Sequence, residues 1–187
     1  MHTLFLDAPF TGKVELSFKV LDYLQKKKYK NVGLYASVQY CNNLATIEKQ
    51  LGDASVNVIT SKADRTHIIG QLLGCDSNLV SLNLTNVQHE KVEVYLYIGD
   101  GKFHPLTLMY AQKNLVIDQV KEIICNDPMT NQMSIMEVAS LKVILRKYRA
   151  SLMKFLSSSR VGVLVTVKPG QEHLKAAFLI EKKFPDK

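Results

Sequence analysis

The chain has 187 residues, of which 47% are hydrophobic and 22% charged, and it carries a net charge of +7. That length allows one ordinary domain, or a domain plus part of another. No stretch approaches the length of a membrane span, and MHTLFLDAPFTG meets Asp7 too early for a signal peptide, so a membrane partner is excluded and a cytoplasmic protein is expected.

The elements alternate along the chain. HTLFLDAPF reads as a short strand and its exit loop. VELSFKVLDYLQKKKY places Leu16, Val20, Leu21 and Leu24 on one face and closes on lysines, which suit the C-terminal dipole of a helix. NVGLYASVQY is apolar and small throughout, as a strand buried on both faces should be. CNNLATIEKQLG reads as a helix capped by Asn42 or Asn43 and ended by Gly52. VNVIT is the next strand, followed by the loop SKADRTHIIGQLLGC, the strand VEVYLYIGDG and the exit segment FHPLTLMYAQ. Strand–helix alternation predicts an α/β fold, a small, mostly parallel sheet flanked by helices, over residues 1–112.

A partial second α/β unit of the same kind is expected over residues 113–187. NLVIDQVKEIICNDP reads as two short strands around a polar turn, and SIMEVASLKVILRKYRASLMKFLSSS as one long helix. RVGVLVTVKPGQ is a strand running into a Pro-Gly loop, and EHLKAAFLIEKKF is a closing helix.

Open α/β sheets bind ligands outside the carboxyl ends of their strands. Five loops leave such ends: after Phe10, around Gln39, around Cys75, from Gly99 to His104, and from Lys168 to Gln171. In Gly99-Asp100-Gly101 the glycines permit positive φ and close approach to a ligand. Asp100 accepts hydrogen bonds, and His104 is suited to a carboxylate or phosphate; a tight turn with a surface His fits the same residues. The triplet is not a nucleotide-binding GxGxxG. Lys168-Pro169-Gly170-Gln171 leads into a helix start whose free N–H groups favour anions, and Gln171 both donates and accepts. It also fits a routine strand-to-helix loop. His67, His89 and His173 lack spaced partners and are expected at the surface.

The three cysteines, Cys41, Cys75 and Cys125, form no CxxC pair, so neither a zinc ribbon nor a disulfide framework is indicated. Cys75 in QLLGCD follows an apolar stretch and a Gly, as at a strand end; a buried small hydrophobe fits the same position. The basic balance favours acidic partners. The cations are spread along the chain apart from Lys26-Lys27-Lys28 and Lys30, and no RNA-binding or helix-turn-helix motif appears. The expectation is a basic surface with no direct nucleic-acid contact.

GQLLGCD, VYLYIGDGKFHP, CNDPMT and GVLVTVKPGQ, in that order and spacing, resemble the family of the archaeal diphthamide-synthesis enzyme, 2-(3-amino-3-carboxypropyl)histidine synthase. YASVQYCNNL looks like the family's strand and helix ahead of its central cysteine, and GDGKFH is the most specific piece. The resemblance implies the middle and part of the third of three related α/β domains, which together hold a [4Fe–4S] cluster by one cysteine each. It implies cleavage of S-adenosylmethionine to a 3-amino-3-carboxypropyl radical that adds to a histidine of translation elongation factor 2. Cys75 matches the central-domain cluster cysteine. The loop of Gly99, Asp100, Gly101 and His104, with Gln171, would line the S-adenosylmethionine pocket. Cys41 and Cys125 fall at no family position, and the first-domain and later third-domain cysteines have no counterpart. A companion chain, or a homodimer, is therefore expected to supply the missing ligands. The alternatives are a non-catalytic remnant acting as a partner-binding subunit, and an unrelated basic nucleotide-binding protein, which the motif order disfavours.

Overall fold

The computed structural model describes residues 9–74, 78–166 and 174–187. The chain forms two compact units, Met1–Leu141 and Lys142–Lys187. The first contains helices α1 (Phe18–Lys27), α2 (Leu44–Asp53), α3 (Asn86–Lys91) and α4 (Phe103–Ala111). Its strands are β1 (Asn31–Ala36), β2 (Asn57–Ile59), β3 (Val94–Ile98), β4 (Ile123–Asp127) and β5 (Gln132–Met136). They form one sheet in the order β2-β1-β3-β4-β5. All pairs are parallel except β4–β5, an antiparallel hairpin. The mostly parallel sheet flanked by helices is the predicted one.

Alternation along the strands sorts their side chains by face. Val32, Leu34 and Ala36 of β1 and Val94, Leu96 and Ile98 of β3 pack in one cluster with Val20 and Leu24 of α1 and Ile47 and Leu51 of α2. Truncating a fully buried member such as Ile47 to Ala should cost about 2–5 kcal/mol. The intervening residues Tyr35, Tyr95 and Tyr97 are also fully buried, on the opposite face.

Several element ends differ from the sequence reading. α1 stops where Lys28 turns left-handed at φ 59°, and its backbone N–H bonds to Gln25 O. β1 ends at Ala36, and residues Val38–Asn43 form a 3-10 turn in place of a continued strand. Asn43 stands at the N-cap of α2 without a side-chain cap bond. The chain leaves that helix through Ser55 at φ 60°, past Gly52. Two helices escaped the sequence reading. α3 is short, but Thr85 and Gln88 form a capping box at its start. α4 buries Pro105, Thr107, Leu108, Met109 and Ala111, so it lacks the polar stripe that marks a helix in sequence. Pro105 lies in its first turn, where no backbone donor is needed.

The expected boundary after residue 112 does not hold. β4 pairs with β3 and β5 with β4, so the sheet of the first unit continues to Met136. Of the two short strands read in 114–128, Ile117–Gln119 is a 3-10 turn and only β4 is a strand. The residues SIM belong to β5, not to the long helix, which begins at Val138. The hairpin turn follows Asp127, whose Oδ1 accepts from Met129 N at 2.9 Å and whose Oδ2 accepts from the Thr130 hydroxyl at 2.8 Å. The apolar period of that region was real; the misreading lay in which neighbour it serves.

The second unit holds the bulk of α5 (Val138–Ser157) and α6 (Leu174–Lys183). Phe155 and Phe184 meet edge to face at 5.0 Å, and Lys187 Nζ donates to Leu156 O at 2.8 Å. The expected strand at 161–166 forms no ladder among the described residues, and Leu164 is 99% exposed. A β-prone sequence becomes a strand only when a neighbour accepts its hydrogen bonds. The KPGQ loop, with Gln171, lies outside the described residues.

Candidate binding site at the strand ends

β3 ends at Ile98, and the next three residues set the site. Gly99 N–H bonds to Asn126 O at 3.0 Å, which carries the parallel ladder one step beyond the strand. Gly99 adopts φ 156° and Gly101 φ 65°. A Cβ built on Gly99 would stand 2.6 Å from Tyr97 Oη, so this position has room only for a hydrogen. Gly101 meets nothing within 4 Å, and there the demand is the left-handed backbone. Asp100, Gly101 and Lys102 are exposed, and Lys102 precedes the first residue of α4.

A cleft of about 320 Å³ opens beside this loop, lined by Gly99, Gly101, Lys102, Cys125, Asp127 and the β5 residues Gln132–Ser134. Its floor continues a cross-strand row. Tyr35 pairs with Tyr97, Tyr97 with Cys125 and Cys125 with Ser134. The row is fixed from the far side by Asn126. Its side chain accepts from Ser17 N–H at 2.9 Å and donates to Glu15 O at 3.1 Å, tying the approach to α1 to the end of β4. Burial raises the phenol of Tyr97 well above its ordinary value, and nearby Asp100 adds to this.

His104 is half-buried and lies flat against the Tyr97 ring, centroids 6.4 Å apart and 12° between planes. It meets Phe103 edge-on at 5.4 Å. It is not among the residues lining the cleft; its place is behind the loop, on the tyrosine.

Cys75 lies outside the described residues, but the segment leading to it is well placed. Ala36 N–H bonds to Gly70 O at 2.8 Å and Leu72 N–H to Ala36 O at 2.9 Å, so residues 70–72 become the neighbour of β1 beyond the end of β2. At Gly74 the chain meets α4. Thr107 Oγ1 donates to Gly74 O at 2.9 Å, and a Cβ on Gly74 would fall within the Phe103 ring. Residues 70–74 and the GDGKFH segment are thus brought together at the carboxyl ends of the strands.

The other two cysteines behave as core atoms. Cys41 donates to Ser37 O at 3.3 Å, and burial pushes its thiol up to about 12. Burial pushes Cys125 up to about 11 against the opposing influence of Ser134 and Lys102. Neither is a ready thiolate. No group of three His, Cys, Asp or Glu among the described residues could hold a metal ion. The described residues therefore do not by themselves fit a [4Fe–4S] cluster.

His89, expected at the surface, is buried at 5% exposure, its Nδ1 2.7 Å from Tyr95 Oη. Burial lowers its pKa, and the charge of Lys121 adds to that. His67 is exposed, and His173 lies outside the described residues. Lys102, Thr107 and Asn126 were missed from sequence. The first stands inside the GDGKFH loop and could have been found there; the others act through contacts no spacing reveals.

A family model described as "Putative diphthamide synthesis protein" matches residues 5–187. A 2-(3-amino-3-carboxypropyl)histidine synthase of Pyrococcus horikoshii is 27% identical over 158 residues, covering 84% of this chain and 41% of that protein. The crystal structure of Dph2 from Pyrococcus horikoshii superposes with a TM-score of 0.69 at 26% identity, covering 89% of this chain and 44% of the other. A second structure of that protein, with a 4Fe-4S cluster, gives the same figures. The chain spans less than half the length of these relatives.

Proposed function

Because the chain belongs to the diphthamide synthesis protein family, we propose that it serves the first step of diphthamide biosynthesis. In that step a 3-amino-3-carboxypropyl group passes from S-adenosylmethionine to a histidine of translation elongation factor 2. The chain acts as one part of the enzyme. Its own contribution to a [4Fe–4S] cluster is a single thiolate, Cys75, and a companion chain bearing the family's other cluster cysteines supplies the rest. Thiolates hold such clusters, and the buried Cys41 and Cys125 are not offered for the role. Diphthamide synthesis places the work in the cytoplasm; no helix among the described residues is long and apolar enough to cross a membrane.

The observation that carries this reading is the hydrogen bond from Thr107 to Gly74, which anchors the residue before Cys75 to α4, the helix that begins within GDGKFH. In the proposal the Gly99–Gly101 backbone and Asp100 receive the amino-acid end of S-adenosylmethionine, and Lys102 faces its carboxylate. His104, seated on Tyr97, orients that end, and Gln171 completes the pocket.

The test is transfer of carboxyl-labelled S-adenosylmethionine to elongation factor 2 by the chain together with a companion polypeptide bearing the family's other cluster cysteines. Label on the factor's histidine is expected. His104→Ala should weaken S-adenosylmethionine binding and leave the iron absorbance unchanged. If no companion restores transfer, the chain is a non-catalytic, partner-binding member of the family.

A further inference from the structure

The cleft beside the Gly99–Lys102 loop carries one charge of each sign. Lys102 comes to its lining from the loop after β3, and Asp127 from the end of β4. Neither is ion-paired among the described residues, with each other or with any further group. Each therefore keeps its charge for whatever enters the cleft.

The half-buried carboxylate of Asp127 is held by the hairpin turn. Its Oδ1 accepts from Met129 N–H at 2.9 Å and from Thr130 N–H at 3.4 Å, and its Oδ2 accepts from the Thr130 hydroxyl at 2.8 Å. A carboxylate has about four lone-pair sites, so these bonds fix its direction and leave room for one more donor. The surroundings of Lys102 have the opposite sign. α4 begins at the next residue, Phe103, with no side-chain cap and no acidic residue in its first turn. The unbonded N–H groups of that turn add to the attraction of the lysine for an anion. One part of the cleft thus favours a carboxylate and another an ammonium group.

These charges select among ligands. A simple anion meets a like charge at Asp127, and a simple cation meets one at Lys102. A residue inside a peptide carries neither charge on its backbone, whereas a free α-amino acid carries both on one carbon. Cys125 and Met133 also line the cleft and give it a soft, apolar part suited to an apolar or thioether side chain. Its volume of about 320 Å³ lies at the low end of ligand pockets, about 300–1,000 Å³. We propose that this cleft reads both charges of a free α-amino-acid head group, Lys102 taking the carboxylate and Asp127 the ammonium. Asp100 is exposed and not among the lining residues, so the ammonium inside the cleft falls to Asp127. The inference rests on the reading of this cleft given above, and it adds the residue that makes a free amino group a requirement.

The test titrates the full chain with three probes, read by saturation-transfer NMR. They are L-methionine, 4-(methylthio)butanoate, which lacks the amino group, and 3-(methylthio)propylamine, which lacks the carboxylate. L-methionine should bind about tenfold tighter than either analogue, as for one hydrogen bond to a charged group. Asp127→Asn should bind L-methionine no better than the butanoate, whose own affinity should not fall. Lys102→Gln should lose the preference for L-methionine over the amine and keep the preference over the butanoate. Asn keeps an acceptor for Met129 N–H; should Asp127→Asn still lose the folded circular dichroism signal, Asp127→Ser takes its place with the same expected pattern. Equal affinity of the parent for all three probes, or no saturable binding of L-methionine, would overturn the proposal. So would an amino-group preference that survives in Asp127→Asn and vanishes in Asp100→Asn, which would move the ammonium to the loop. The probes need no cluster, companion or elongation factor, so their failure and the failure of group transfer are separate results. Undiminished transfer by Asp127→Asn would sink this inference and leave the transfer reading standing.

Discussion

Thr107 and Gly74 are joined by a hydrogen bond of 2.9 Å between a helix hydroxyl and a loop carbonyl, 33 residues apart. The bond sets Gly74 against α4, and a Cβ on Gly74 would meet the exposed Phe103 ring. Thr107→Val should remove one partly buried hydrogen bond, worth about 1 kcal/mol, and lower the melting temperature by about 2–4 °C for a chain of this size. Gly74→Ala should cost less, about 0.5 kcal/mol or under, because the Phe103 ring it meets is exposed and can turn aside. Thermal unfolding followed by circular dichroism measures both. An unchanged melting temperature for Thr107→Val would mean that the bond is not made in solution.

Gly101 holds φ 65° in open space, so an added methyl group there acts through the backbone alone. Gly101→Ala should destabilise by about 1 kcal/mol, the cost of a left-handed L-residue. Gly101→Asn should recover part of it, since Asn tolerates that region. Urea midpoints of the three proteins give the comparison, and equal midpoints would refute the backbone argument.

His89 has a folded pKa below its unfolded value, chiefly because it is buried beside Tyr95. The unfolded chain therefore binds the proton more readily. The stability this His contributes is present above its unfolded pKa of about 6.5 and is lost as pH falls from there through the lower folded pKa. Urea unfolding at pH 7.5 and pH 5 should show a loss that is smaller in His89→Gln. The same pH dependence in both proteins would remove His89 from the account.

Cys41 and Cys125 are buried, with thiols pushed up to about 12 and about 11. At pH 8 a thiol-specific disulfide reagent should leave both unmodified in the folded protein and label them only after denaturation, because the thiolate is the reactive form. Peptide mapping after a short labelling pulse identifies the sites.

The second unit exposes Leu164, Phe178 and Leu179, and it holds an apolar groove of about 400 Å³ lined in part by Val163, Val165 and Phe178. Exposed apolar patches of this kind mark interfaces. Light scattering should show association that grows with concentration, and Phe178→Glu should reduce it. A monomer at every concentration would show that the groove is not sticky.

How far the sequence could be read depended on how local each signal was. The β1 and β3 segments were legible because parallel strands buried on both faces are continuous apolar runs. α4 was not, because its apolar residues are spread around the helix and leave no polar stripe. The antiparallel return of β5 was hidden because Ile135 and Met136 look like the start of the helix behind them, and only pairing with β4 decides between the two. At the site, the glycines of GDG announced their backbone. The stacking of His104 on Tyr97 and the bond from Thr107 to Gly74 join residues whose spacing carries no signal. His89 was misplaced because its partner, Tyr95, is set by the sheet and not by a motif.

The central claim is that this chain brings one cluster thiolate, Cys75, to a shared site. Iron content after anaerobic reconstitution, measured with S-adenosylmethionine cleavage, tests it most directly. The chain alone should hold no stable cluster. With a companion bearing the remaining cysteines, about four irons per site and cleavage should appear, and Cys75→Ala should lower both. Four irons bound by the chain alone, or full iron retention in the Cys75→Ala mixture, would contradict the claim.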